Sequence, residues 1–238
     1  MASPDDCSLI PPAPGRVAAR ALVLAAIGCR GLIEKDAGDP GAEELRKQIL
    51  PWLDTIGVVA ELEPAEAALL STPLGGLDNK QTINMSWQAE GMVVLAWALG
   101  YAELPAVHVE CDPSDIANGM GFLDERRETP LHSPQLRESG EIEAWADTYL
   151  TLHWRLREFS LRSVTIDFVD YVSKCQWASL RLNHLEVRDR ELAIDGTRLD
   201  NLESKVFRRI LGVTQERHAA FNWLLGFDAI YSEVTADT

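Results

Sequence analysis

The stretch DNKQTINMSWQAEGMVVLAWALG, residues 78–100, decides the fold class. Asp78 followed three residues later by Gln81 has the form of a capping box, in which each side chain satisfies a free backbone N–H at the start of a helix. Ile83, Trp87, Glu90, Val94 and Trp97 then recur at alternating spacings of four and three. That spacing puts them on one stripe of a helix about 33 Å long. Gly100 and Pro105 end it.

On the N-terminal side, residues 1–14 are rich in Pro, Ser and Asp and read as a flexible arm. From Arg16 to about Lys35 the pattern turns helical, with Val17, Ala21, Val23 or Leu24, Ile27 and Leu32 close to one stripe. A second helix is expected from Ala42 to Ile56, kinked or split by Pro51. A short one opens at Glu63-Pro64, where the missing proline N–H costs nothing. On the C-terminal side, residues 105–138 carry several Pro and Gly and read as an irregular segment. A second strong helix starts near Gly140, with Ile142, Trp145, Tyr149, Leu152, Leu156 and Phe159 as its apolar stripe, and Asp167 to Trp177 reads as a third. The period then changes. Leu185 and Val187, then Leu192 and Ile194, alternate as in strands, and Asp195-Gly196 is a hairpin turn signal. Asp200 to Glu203 reads as another capping box, leading into a C-terminal helical region that Gly212 is expected to interrupt. The expected fold is therefore mainly α, or α+β: a single multi-helix domain over residues 15–238 with a small antiparallel hairpin or three-stranded sheet near 185–199.

Lys and Arg total 22 and Asp and Glu 37, for a net charge of −15. Such a surface repels a phosphate backbone, so no nucleic acid is expected as a partner. The apolar runs Ala21 to Cys29 and Gly91 to Ala102 fall short of the roughly 18 residues a membrane span needs. The N-terminus lacks the basic start and apolar stretch of a signal peptide, and cytoplasmic location is the expectation. Cys7, Cys29, Cys111 and Cys175 are far apart, with no C-x-x-C pair and no His at ligand spacing. They read as reduced thiols, and neither a metal nor a cofactor is expected.

The candidate catalytic residues are Glu90, His153 and His218. A carboxylate on an apolar stripe faces the interior, either as a general acid or base in a pocket or as half of a buried ion pair with Arg155, Arg157 or Arg217. His153 and Arg157, four apart on one helix, read as a base and an anion clamp or as packing residues; Arg155 points away from them. Arg217, His218 and Asn222 form a second polar set, read as structural. Arg155, Arg157, Arg217 and Asn222 are thus the candidate binding residues. There is no Gly-x-Ser-x-Gly elbow, His-Glu-x-x-His, P-loop or dinucleotide fingerprint. Leu74-Gly75-Gly76-Leu77 precedes a helix but lacks the Lys and strand of a phosphate loop, and reads as a turn.

Four segments in order carry a family resemblance: Trp87-Gln-Ala-Glu90 with Leu95-Ala-Trp97-Ala-Leu-Gly100; Leu152-His153-Trp154-Arg155-Leu156-Arg157-Glu158-Phe159; Glu191 to Gly196; and Glu216-Arg217-His218 with Asn222-Trp223-Leu224 and the terminal Ala236-Asp237-Thr238. Together they resemble the bacterial domain of unknown function 4272 from about Arg16 onward. Thr151 stands where many relatives have an Arg before the His-Trp pair, and Tyr231-Ser232 where they often have Trp-Asp. The resemblance implies a bacterial protein and brings no activity, cofactor or catalytic residue with it. Two functions then compete. One is a non-enzymatic, immunity- or adaptor-like protein that binds a partner with a basic surface. The other is a hydrolase using Glu90 with His153 or His218. They differ in geometry: an enzyme gathers these groups around one open pocket.

Overall fold

A computed structural model describes residues 9–125 and 128–238 of the chain. Eight α-helices and one small antiparallel sheet lie among these residues, the mainly α fold with a small sheet that is expected from the sequence. The helices are α1 (Pro14–Ile33), α2 (Pro40–Thr55), α3 (Pro64–Ser71), α4 (Asn79–Ala98), α5 (Pro113–Gly119), α6 (Ser139–Arg162), α7 (Phe168–Lys174) and α8 (Ser204–Leu224). Residues 1–8 of the expected arm fall outside the described residues. The backbone at Ile10 and Pro11 lies against Gly226, just past the end of α8.

The central element is α4. Its capping box forms as expected, with Gln81 N donating to Asp78 at 2.7 Å and Asp78 N donating to Gln81 at 2.9 Å. From Ala89 to Leu99 every residue is buried, because α1 packs on one side and α8 on another. A helix buried all round carries no single stripe. Ile83, on the expected stripe, is correspondingly exposed: it lies in the first turns, before α4 enters the core. Two glycines set the helix spacing. A Cβ at Gly212 would come within 3.2 Å of the Trp87 ring, so α8 runs unbroken past Gly212 and lies close against that indole. A Cβ at Gly91 would collide with the Tyr231 hydroxyl.

Four details depart from the sequence reading. Of the kink or split expected at Pro51, the split does not occur: Pro51 sits inside α2, and both it and Lys47, whose carbonyl loses its donor, are exposed to water. The Asp200–Glu203 box does not form: Leu199–Asn201 is a 3-10 turn and α8 begins at Ser204, with no side-chain cap. Gly212 does not interrupt α8. The 105–138 segment contains α5, capped by Asp112, which accepts from Ser114 N and Asp115 N.

The sheet has three strands, β1 (Glu186–Arg188), β2 (Glu191–Ile194) and β3 (Thr197–Arg198), in that order. Val187 faces Leu192, and Ile194 faces Thr197. Asp195 (φ 49°) and Gly196 (φ 72°) are both left-handed, as a tight two-residue hairpin turn demands. Asp189 and Arg190 make the β1–β2 turn in the same way, at φ 48° and 66°. The Arg190 carbonyl accepts from Phe168 N at 2.8 Å and its guanidinium bonds Asp167, which ties this turn to the start of α7. All of β2 is buried. Its Leu192 and Ile194 join Leu152 and Leu156 of α6 and Ile210 of α8 in a second apolar cluster beside the α1–α4–α8 core.

Candidate functional site

Glu90 and Arg217 meet in the core. Arg217 Nε donates to Glu90 Oε2 at 2.8 Å and Nη2 approaches the same oxygen at 2.6 Å. Arg217 is fully buried and Glu90 is 3% exposed. The remaining guanidinium hydrogens go to the Tyr149 hydroxyl (3.0 Å) and to the carbonyls of Pro105, Ala106 and Val109. Glu90 Oε1 accepts from Cys111 N at 2.9 Å. One ion pair between α4 and α8 thus pins the whole 105–111 segment, a stretch with no regular ladder to hold it. Burial and the Glu90 charge push the Cys111 thiol far above its ordinary range, and Sγ donates to the Ala89 carbonyl at 3.3 Å.

His153 of α6 and His218 of α8 form a separate pair, Nδ1 to Nδ1 at 3.0 Å with the rings at 76°. One ring must carry its proton on Nδ1 and the other must not. Burial, aided by Arg157 and opposed by Asp237, holds His153 at about 4. Burial and then His153 hold His218 at about 3. The pair is therefore neutral at pH 7. No contact joins either imidazole to Glu90.

Arg155 is buried against Glu191 of β2, with Nε to Oε1 at 2.8 Å and Nη2 to Oε2 at 2.5 Å, and Nη2 also reaches the Val164 carbonyl. Glu191 additionally accepts from Ile166 N at 3.0 Å and Leu192 N at 2.8 Å. Arg157 is half exposed and lies 4.0 Å from Asp237. Asn222 donates to the Thr235 carbonyl at 2.9 Å and so holds the C-terminal segment against α8.

Two further buried cations escaped the sequence reading. Arg20 of α1 pairs with Glu66 of α3, lies 3.6 Å from Glu63, and has its guanidinium 4.6 Å from the centre of the Tyr231 ring. Arg30 reaches Glu34 at 2.6 Å and the Thr72 and Pro73 carbonyls at 3.1 Å. The i,i+4 spacing of Arg30 and Glu34 was the available signal. Glu34 also accepts from Leu77 N at 2.7 Å, so a carboxylate of the chain itself takes up the backbone donor at the end of the glycine turn. Burial raises the Cys29 thiol to about 11.

None of the five principal surface cavities is lined by Glu90, His153 or His218. Among the described residues no group of three or more His, Cys, Asp or Glu is placed to hold a metal ion. No helix of the described residues is long and apolar enough to cross a membrane.

No curated protein and no solved structure matches the chain. A family model does, described as Domain of unknown function (DUF4272) and matching residues 3–178. The match takes in the Glu90 helix and the His153 helix, while the Glu191 and Arg217 segments lie beyond it. With most of its length matched, the chain belongs to the DUF4272 family.

Proposed function

We propose that this is a bacterial, cytoplasmic, non-enzymatic binding protein, one mostly helical domain over residues 15–238, that acts as an immunity- or adaptor-like partner of a protein basic at the contact. The observation that carries this reading is the closure of the candidate groups. Glu90 is consumed by Arg217, Arg155 by Glu191, and His153 by His218, each inside the core. Among the described residues, four buried arginines, at 20, 30, 155 and 217, are matched by buried Glu34, Glu66, Glu90 and Glu191, so these buried charges cancel and leave the net charge of −15 to the rest of the chain. A field of that sign accelerates encounter with a cationic patch.

The test has two arms. Association with a partner captured at low ionic strength should slow by about tenfold between 20 and 200 mM salt, with dissociation changing less. Salt-independent association would remove the basis of the reading. Turnover of a hydrolase substrate that is lost in a folded Glu90→Gln or His153→Ala variant would replace it with the enzyme.

A further inference from the structure

A cleft of about 290 Å3 opens between the 104–108 segment, α6 and the β2–β3 turn. One wall is aromatic. Trp145 and His184 stack face to face, with centroids 4.1 Å apart and planes within 8°, so each ring covers one face of the other and the exposed His184 presents its outer face. The rim is acidic, formed by Glu186 and Asp195, and no Lys or Arg lines the cleft. Gly196 N donates to Glu186 Oε2 at 2.9 Å, which fixes the turn carrying Asp195. The Asp195 carboxylate itself has no cation or donor partner among the described residues. Of the described arginines of the sheet, Arg188 donates to the Gly196 carbonyl at 2.5 Å and Arg198 pairs with Asp200 and Asp189. The 104–108 segment is tied to the core, where Arg217 donates to the Pro105 and Ala106 carbonyls at 3.4 Å.

We propose that this cleft receives a single arginine side chain of the protein partner, an inference that rests on the binding reading above. The volume suits one side chain rather than a cofactor. The outer face of His184, beside the exposed Glu186 and Asp195 carboxylates, complements a planar guanidinium, which stacks and hydrogen-bonds in a fork, better than it complements an ammonium. The charge complementarity has the same sign as the whole molecule's.

The experiment is a titration of the ¹⁵N-labelled full chain with Nα-acetylarginine amide. The signals followed are the Trp145 indole N–H and the Ala106 and Asp195 amides. Saturable shifts confined to these groups are expected, with binding at least about tenfold weaker for the neutral isostere Nα-acetylcitrulline amide and for the Asp195→Asn variant, each lacking one charge of the pair. That variant keeps an Asn-Gly turn and therefore the hairpin. Absence of shifts in the cleft, equal binding of the citrulline compound, indifference to Asp195→Asn, or tighter binding of acetyl-lysine amide or its trimethyl form would each overturn the assignment. The two levels of inference separate cleanly. A basic partner that binds Asp195→Asn and Trp145→Leu as tightly as wild type removes the cleft and leaves the binding reading. Arginine amide in the cleft without any salt-dependent protein partner does the reverse.

Discussion

Replacing Glu90 by alanine leaves the fully buried Arg217 charge facing only neutral acceptors, the Tyr149 hydroxyl and the carbonyls of Pro105, Ala106 and Val109. These solvate the guanidinium in part but do not neutralise it. The substitution also strips Cys111 N of its acceptor and frees the 105–111 segment on that side. Removing one partner of a buried pair costs about 3–5 kcal/mol. For a chain of this length each kcal/mol moves the melting temperature by about 2–4 °C, so a drop of about 6–20 °C is expected in calorimetry. Glu90→Gln should fall less, because it keeps an acceptor for Cys111. The double variant Glu90→Ala with Arg217→Met should recover much of the loss, since it removes the orphaned charge along with its partner. A Glu90→Ala protein within about 1 kcal/mol of wild type, or strict additivity of the two single changes, would refute the structural role assigned to the pair.

Three further outcomes follow from the geometry. The imidazoles of His153 and His218 sit at about 4 and about 3 when folded, against an ordinary 6.5. The unfolded chain takes up protons that the fold refuses, so their contribution is fully present above about pH 6.5 and is lost as pH falls toward 4, at about 1.4 kcal/mol per pH unit for each ring. Urea titrations from pH 7 to 4.5 should show this slope and His218→Gln should flatten it; an unchanged slope would contradict the burial of the pair. Gly91→Ala should destabilise by about 1–3 kcal/mol through collision with the Tyr231 hydroxyl, and Tyr231→Phe should restore part of that; no rescue would argue against the contact. Asp78→Ala should cost about 1 kcal/mol in denaturant midpoints, and a neutral result would contradict the capping box.

What was legible in the sequence was local chemistry. Asp78 with Gln81, and Asp195 with Gly196, each specify a backbone event within four residues, and both formed. The burial and pairing of Glu90 were legible because an isolated charge inside an apolar helix must find a cation. Which cation was not: Arg155 is claimed by Glu191, a residue on a strand 36 positions away, and nothing local reports that. The Asp200 box failed for a related reason. Its residues satisfy the cap pattern, but the chain leaving β3 makes a 3-10 turn there and places the helix start four residues later. Gly212 reads as a helix breaker until the Trp87 ring against it is known. The cleft beside Asp195 is assembled from four separated stretches of chain, so no spacing announces it.

The C-terminal segment has a temporal consequence. Arg16, at the start of the first helix, donates to the Ala229 carbonyl, 213 positions later in the chain. Glu63 accepts from Ser232 N, and the Tyr231 ring lies over Arg20 and against Gly91. Helices α1 and α3 are therefore completed by a segment 169 to 213 positions further along the chain. While the ribosome is still short of residue 230, α1 and α3 lack the ring and backbone groups that close over their ion pairs, and the nascent chain must wait with that surface open. Loop closure over such a distance slows folding. A stop codon in this stretch would thus be felt 213 positions away, as a helix α1 that never seals.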